Sequence, residues 1–190
     1  MKLVAPSLVL AILIGYLLGG RLATLADLRL RWQAAAILGL LLQVLLWPGG
    51  QWPLWYLYAS FVLLIAFAIA NLRVTGFALI LVGVALNFTV IVLNRGMPVS
   101  REAIVASHQA DSLGELTEDG GPKHHLASSQ DHLRFLGDVI AIPPMEQAIS
   151  IGDIFTYGGV MVVVAAGMGR RRRAPDPGTL VTQAVSHVDR

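Results

Sequence analysis

The chain has 190 residues, of which 55% are hydrophobic and only 14% are charged, and its mean hydropathy is +0.66. This composition is too apolar for an ordinary soluble domain and is typical of a protein that lies in a lipid bilayer. Because the chain contains no cysteine, disulfides, thiolate nucleophiles and cysteine-ligated metals are excluded.

The net charge of +2 is distributed unevenly along the chain. Residues 95–149 contain eight acids and four bases, whereas the other connections are basic. These bases flank apolar segments, where membrane topology and anionic lipid explain them. We therefore predict the lipid bilayer, and not a nucleic acid, as the partner of the basic residues.

Five apolar segments predict five transmembrane helices. They cover residues 3–19, 32–47, 54–70, 75–93 and 151–169. The predicted fold class is therefore all-α, a polytopic bundle of five spans within residues 1–170. The first segment also resembles a signal peptide, with a possible cleavage site at 24–26. We retain it as a span, because its removal would place the C-terminal arginines outside the cell.

Basic residues predict the orientation of these spans. Four consecutive arginines follow the last span and are predicted to anchor it on the cytoplasmic side. They are Arg170, Arg171, Arg172 and Arg173. The short basic connections before the second and fourth spans are then cytoplasmic as well. The predicted location is the bacterial cytoplasmic membrane, with the N-terminus outside and residues 171–190 as a disordered cytoplasmic tail.

Aromatic residues cluster around the uncharged turn between the second and third spans. They are Trp47, Trp52, Trp55, Tyr56 and Tyr58. Amphipathic rings are most stable at the headgroup level of a bilayer. This cluster therefore predicts an aromatic belt at the outer interface.

The fourth span carries a stripe of small and amide side chains, formed by Gly76, Gly83, Asn87 and Asn94. At 100° per residue these positions fall within roughly 40° of one another on a helix. Glycines allow close approach of two backbones, and an amide that faced lipid would lack a partner. The stripe predicts a helix-packing seam, whose partner is either another span of this chain or a separate subunit.

The segment between the fourth and fifth spans, residues 94–150, is predicted to be a partly structured outer cap. Ser100 is a candidate N-cap of a short helix, and residues 131–136 are a candidate helical turn. Pro143 and Pro144 predict an extended return towards the membrane.

Two aspartates occur in similar local sequences, Leu-Gly-Asp-Val-Ile at 136–140 and Ile-Gly-Asp-Ile-Phe at 151–155. In the structural interpretation each carboxylate caps a local element, with Asp153 near the positive N-terminal end of the fifth helix. In the functional interpretation Asp138 and Asp153 form a carboxylate pair, in which one pKa is raised and a water is activated. The sequence favours the structural interpretation and leaves the other open.

Three histidines of the outer segment, His124, His125 and His132, are weak candidates for a metal site together with Asp131. Their spacing matches no standard zinc motif, so solvated loop histidines are the preferred interpretation. The sequence identifies no cofactor.

The sequence around the two aspartates loosely resembles the end of the prolipoprotein signal peptidases. The resemblance includes Asp138-Val-Ile, the segment 150–161, and the Asn-Arg-Gly run that begins at Asn94. It implies two catalytic aspartates before and within the last span. The chain departs from that family in its shorter spacing between the aspartates, the order of its motifs and its five spans.

A second resemblance extends through most of the chain. Residues 94–100, the run Leu-Arg-Phe-Leu-Gly-Asp-Val-Ile at 133–140, and Ser-Ile-Gly-Asp-Ile at 150–154 resemble a family of small bacterial integral membrane proteins of unknown function. This resemblance implies a bacterial membrane setting and no particular activity.

Three functions follow as hypotheses. The preferred one is a non-enzymatic accessory or scaffold subunit that packs its fourth-span seam and outer cap against partner membrane proteins or another copy of itself. The alternative is a membrane-embedded aspartyl-type hydrolase or peptidase that uses Asp138 and Asp153. A transporter or channel component is the weakest, because no inverted repeat or mid-membrane charge marks a substrate path.

Overall fold

The computed structural model describes residues 3–44, 54–109 and 123–169. The predicted arginine anchor, the C-terminal tail and two members of the predicted aromatic belt, Trp47 and Trp52, lie outside these residues. Three apolar helices come first in the chain: α1 (Val4–Leu17), α2 (Gln33–Val44) and α3 (Leu54–Ala70). A 3-10 helix, Leu22–Asp27, connects α1 to α2.

Two longer apolar helices, α4 (Phe77–Asn94) and α6 (Ile151–Met168), flank the outer segment. Each has 18 residues, and both are long and apolar enough to cross a bilayer. The helices α1, α2 and α3 are apolar but shorter than this length in the described part of the chain. The prediction of a helical fold is thus confirmed, and two of the five predicted spans have the required length.

The helices form a row in which chain neighbours are not always spatial neighbours. Helix α1 packs against α6, α6 against α4, α4 against α3, and α3 against α2. The amide of Arg21 donates to the carbonyl of Met168 at 3.0 Å, which places the C-terminal ends of α1 and α6 together. Asn71, after α3, bonds the backbone of Arg31, before α2, at the same end.

The outer segment corrects the all-α prediction, because it contains strands. It comprises β1 (Met97–Val99), the short helix α5 (Arg101–Ala106), β2 (His124–Leu126), β3 (Ile140–Ile142) and β4 (Gln147–Ile149). Strands β1 and β2 pair in parallel, and β3 and β4 pair antiparallel. Strands of three residues are too short to show an alternating pattern in the sequence, which is why they were missed.

The prediction that Pro143 and Pro144 form an extended segment is also wrong. Pro143 and Pro144 do not form an extended return but open a 3-10 turn, Pro143–Met145, which connects β3 to β4. Proline suits the first positions of a helical turn, since its fixed φ fits and its missing N–H is not needed there. The extended segments are the strands on either side of the turn.

Two local predictions in this segment are confirmed. The Ser100 side chain caps α5 by accepting a hydrogen bond from the amide of Ala103. A 3-10 turn, Arg134–Leu136, lies within the predicted helical turn.

The outer segment is joined to the helices by a shared apolar core. Met97 of β1 is buried in a cluster with α3 and α4 residues that include Phe61, Val90 and Ile91. The rings of Phe61 and Phe88 stack at 5.6 Å in the same region. Burial of this strand residue in the bundle fixes the position of β1, and with it the strands that pair with β1.

Helices α4 and α6 approach each other closely at glycines. A Cβ atom on Gly83 would clash with Thr156 Oγ1 and with the carbonyl oxygen of Gly152. A Cβ atom on Gly76, whose φ is +101°, would lie 2.6 Å from the carbonyl oxygen of Gly159. Only glycine permits this backbone separation.

The structure therefore gives the stripe of the fourth span a partner in the same chain. Gly76, Gly83 and Asn87 face α6. Asn94 instead faces the outer segment, where its side chain donates to the carbonyl of His132 and accepts from the His132 amide.

Candidate functional site

The N-terminus of α6 is closed by a capping box. Ser150 Oγ accepts a hydrogen bond from the amide of Asp153 at 2.9 Å, and the amide of Ser150 donates to Asp153 Oδ2 at 3.1 Å. These bonds satisfy two backbone N–H groups at the helix end. The structural interpretation of Asp153, a carboxylate in the first turn of α6, is thus confirmed.

Asn87 of α4 extends this arrangement across the helix interface. Its Nδ2 donates to Asp153 Oδ1 at 2.8 Å, and its Oδ1 accepts from Ser150 Oγ at 2.8 Å. Gly152 leaves space for the amide, because a Cβ there would clash with Asn87 Oδ1. The buried amide therefore fixes the orientation of Asp153 from outside its own helix.

Asp138 reaches the same region through strand pairing. Its amide donates to the carbonyl of Pro98 and its carbonyl accepts from the amide of Ser100, so that Asp138 forms a parallel bridge with Val99. Gly137 allows this approach, because a Cβ there would clash with the Pro98 carbonyl. Strand β1 therefore has Asp138 on one side and β2 on the other.

The Asp138 carboxyl group is buried, with the residue 8% exposed. Its Oδ2 lies 3.7 Å from His124 Nε2. Its Oδ1 is buried and has no hydrogen-bond partner among the residues that the structure describes. A buried carboxyl oxygen without a partner is uncommon in folded proteins.

Burial, and to a lesser extent the negative charge of Asp153, raise the pKa of Asp138 to about 8, against the opposing effect of Lys123. Burial also lowers the pKa of Lys123, although Asp153 and Asp138 counteract this shift. The two aspartates thus interact electrostatically, and at neutral pH Asp138 carries a proton. The arrangement contains one protonated acid, one capped carboxylate and one ammonium group.

We expect the stability of the protein to fall as the pH rises from 6.5 to 8.5. The folded state holds the Asp138 proton up to a pKa of about 8, whereas the unfolded chain loses it near 4, so deprotonation favours unfolding in this window. The expected loss is about 2 kcal/mol. Denaturant unfolding in mild detergent at the two pH values would measure it. In Asp138→Asn this loss should be absent, and an equal loss in both proteins would contradict the assignment.

The three candidate histidines do not come together. His124 faces Asp138, His125 Nε2 lies 3.0 Å from Asp131 Oδ1, and the backbone of His132 bonds to Asn94. Within residues 3–44, 54–109 and 123–169, no three His, Asp or Glu side chains form a group that could hold a metal ion. The pKa of His124 is lowered by partial burial and by the charges of Lys123 and His125, and because its side chain is 41% exposed the effect of burial is weaker than for Asp138.

Asp131 differs from Asp138 in its surroundings. Burial by itself would raise its pKa, but hydrogen bonds from the Ser128 amide and from His125 outweigh this effect, and the pKa is lowered. Asp131 is therefore a structural carboxylate that orders residues 125–131.

Three members of the predicted aromatic belt lie in the first turns of α3. Trp55 is exposed, and its ring lies 4.3 Å from that of Tyr56. Tyr58 contacts Phe88 of α4 edge-on at 6.0 Å, so this ring is directed into the helix interface.

Sequence reasoning missed two members of the site. Ser150 was detectable, because Ser-x-x-Asp before an apolar run is a capping-box pattern. Lys123 had no local signal, since only the pairing of β1 with β2 brings it near the aspartates.

The fold and the site define a small helical protein with two apolar helices of membrane-spanning length, a buried aspartate and a helix-capping aspartate that interact electrostatically at one end of those helices. The chain belongs to the family of unknown function DUF5317, whose model matches residues 27–165 and includes both aspartates. The predicted resemblance to an uncharacterised family is thus confirmed. No curated protein and no solved structure matches the chain.

Proposed function

We propose that the protein is a membrane-embedded aspartyl-type hydrolase that uses Asp138 and Asp153 to activate water. The observation that carries this proposal is the Asp138 carboxyl group, which is buried, has an Oδ1 without a partner among the described residues, and has a pKa raised by burial and by the charge of Asp153. Two carboxyl groups with different protonation states are the arrangement that acid/base hydrolysis requires.

The two aspartates take different roles in the proposed mechanism. Asp153 is the general base, because hydrogen bonds from Asn87 and from the Ser150 amide hold its carboxyl group in a fixed orientation at the N-terminus of α6. It accepts a proton from the attacking water. Asp138 is the general acid, which donates its proton to the leaving group of the substrate. Lys123 balances the negative charge of the pair.

The proposed setting is a five-span bundle in the bacterial cytoplasmic membrane, with the site on the outer side. In support, the ends of α1, α2 and α3 that adjoin Arg21, Arg31 and Arg73 lie on the same side as the C-terminal end of α6. The outer segment is at the opposite ends of α4 and α6. Basic residues mark the cytoplasmic side of membrane proteins.

The absence of cysteine makes this topology directly testable. We expect Glu102→Cys, on the exposed surface of α5, to react with a membrane-impermeant maleimide in intact cells. Arg73→Cys should react only after the cells are lysed. The reverse pattern, or labelling of both variants in intact cells, would contradict the proposed orientation.

The hydrolase proposal predicts that Asp138→Asn lowers the rate by about 100- to 10,000-fold, the usual contribution of a general acid. The full-length protein in mild detergent would be incubated with membranes from a host strain that lacks it. Mass spectrometry would then detect new peptide N-termini and released lipid fragments.

Glu102→Gln is the matched control for this experiment. It is also a carboxyl-to-amide change in the outer segment, but Glu102 is exposed and its carboxylate accepts a hydrogen bond from Ser100 Oγ. The proposal is rejected if the natural protein releases no product, or if Asp138→Asn releases products as fast as the control does. Unfolding measurements on both variants would detect a simple loss of structure.

The accessory-subunit hypothesis stays a prediction, although the stripe that suggested it packs against α6 of the same chain. The transporter hypothesis also stays a prediction. The raised pKa of the buried Asp138, to which the charge of Asp153 contributes, is the observation that favours hydrolysis over both.

A further inference from the structure

At the end of the bundle opposite to the aspartates, a groove lies between the start of α2 and the end of α3. It has a volume of about 360 Å³ and is lined by Arg31, Trp32, Ala66, Ile69 and Ala70. The lining is almost entirely apolar, so Arg31 contributes carbon atoms to it. Long basic side chains often cover apolar surface with their stems and keep the charged group in water.

The edge of this groove is held in a fixed and unusual conformation. The amide of Arg31 donates to Asn71 Oδ1 at 2.8 Å, and Asn71 Nδ2 donates back to the Arg31 carbonyl at 2.9 Å. Trp32 has a φ of +57°, which is rare for a bulky residue, and the residue is 61% exposed. Such backbone strain persists only where the surrounding structure enforces it, and it is frequent at ligand sites.

The charge at this end of the bundle is positive. The connections 18–32 and 71–76 contain four arginines and one acid, and Arg21, Arg29, Arg31 and Arg73 are all exposed. An occupant with an apolar chain and an anionic head fits both the lining and its rim.

We propose that this groove is a binding site for an anionic phospholipid. One acyl chain lies along the apolar wall formed by α3, the Trp32 ring lies at the level of the glycerol, and the phosphate is bound by Arg31 and the neighbouring arginines. The site goes beyond the proposed hydrolysis and is independent of it, but it rests on the proposed membrane placement.

Trp32 provides a fluorescent probe for this site. Replacing the other three tryptophans by Trp47→Phe, Trp52→Phe and Trp55→Phe leaves Trp32 as the reporter. The full chain would be placed in phosphatidylcholine nanodiscs that contain either brominated phosphatidylglycerol or brominated phosphatidylcholine. We expect the anionic lipid to reach half-maximal quenching at about fivefold lower mole fraction, the effect of one basic residue near a membrane surface.

Two variants test the two parts of the site. Arg31→Gln should abolish the preference for the anionic lipid. It should leave the two hydrogen bonds between Asn71 and Arg31 intact, because they use only the Arg31 backbone. Ala66→Leu should fill the apolar wall and reduce quenching by both lipids. Arg101→Gln, an exposed arginine of the outer segment, is the matched control and should leave the preference unchanged.

Equal quenching by the two brominated lipids, or a preference that survives in Arg31→Gln, would overturn the anionic site. An absence of quenching by either lipid would overturn the membrane placement on which the site rests. Neither result would bear on the carboxylate pair, which is tested separately by Asp138→Asn.

Discussion

The double variant Asn87→Asp/Asp153→Asn is expected to fold like the natural protein and to hydrolyse substrate about 100- to 10,000-fold more slowly. The exchange moves the carboxylate from α6 to α4 and keeps the number of hydrogen-bond donors and acceptors constant. An aspartate at 87 can accept from Ser150 Oγ and from the new amide, and an asparagine at 153 can still accept from the Ser150 amide. The double variant therefore tests the proposed role of the Asp153 carboxylate while it preserves the hydrogen-bond network.

The single variant Asp153→Asn is the necessary comparison. In the natural protein four donors and four acceptors pair among Asn87, Ser150 and Asp153. The amide at 153 removes one acceptor and adds donors, so at least one buried donor loses its partner, at a cost of about 1 to 3 kcal/mol. The double variant should recover most of this loss.

Denaturant unfolding of the natural protein, both single variants and the double variant would give the coupling energy between the two positions. Groups in one hydrogen-bond network usually couple by about 0.5 to 3 kcal/mol. A double variant that stays active would exclude Asp153 as a positioned base. A double variant no more stable than Asp153→Asn would show that the network is not arranged as described.

Gly83→Ala is expected to lower the free energy of unfolding by about 3 kcal/mol, the upper part of the range for overpacked sites. The new Cβ would clash with the Gly152 carbonyl oxygen and Thr156 Oγ1, and a backbone atom cannot move away by a rotamer change. Helices α4 and α6 must therefore separate. This separation also withdraws Asn87 from Asp153, so the rate of the proposed hydrolysis should fall together with stability.

Gly158→Ala is the matched control on α6. A Cβ there would meet no atom within 4 Å. The expected effect of this substitution is therefore the higher helix propensity of alanine alone, so the free energy of unfolding should be unchanged or rise by up to about 1 kcal/mol. Unfolding of both variants in the same detergent would measure the difference. Equal stability of the two would contradict the close contact of α4 and α6.

Local pattern was sufficient for the parts of the structure that depend on neighbouring residues. The apolar runs predicted the helices, since a long apolar segment satisfies its backbone hydrogen bonds within itself. Ser100 was predicted as an N-cap and Asp153 as a carboxylate in the first turn of α6, because both effects act within four residues. The small-residue stripe predicted a seam but not which helix would occupy it.

By itself the sequence determined an apolar, cysteine-free helical protein with an acidic segment and two similar aspartate motifs. Only the tertiary structure decided that α6 lies between α1 and α4, that Asn87 orients Asp153, and that Asp138 becomes buried beside Val99. The pairing of β1 with β2 and with Asp138 connects residues far apart in the chain. No local sequence pattern encodes such contacts. The protonation of Asp138 depends on them, because burial and the charges of residues distant in the chain set its pKa.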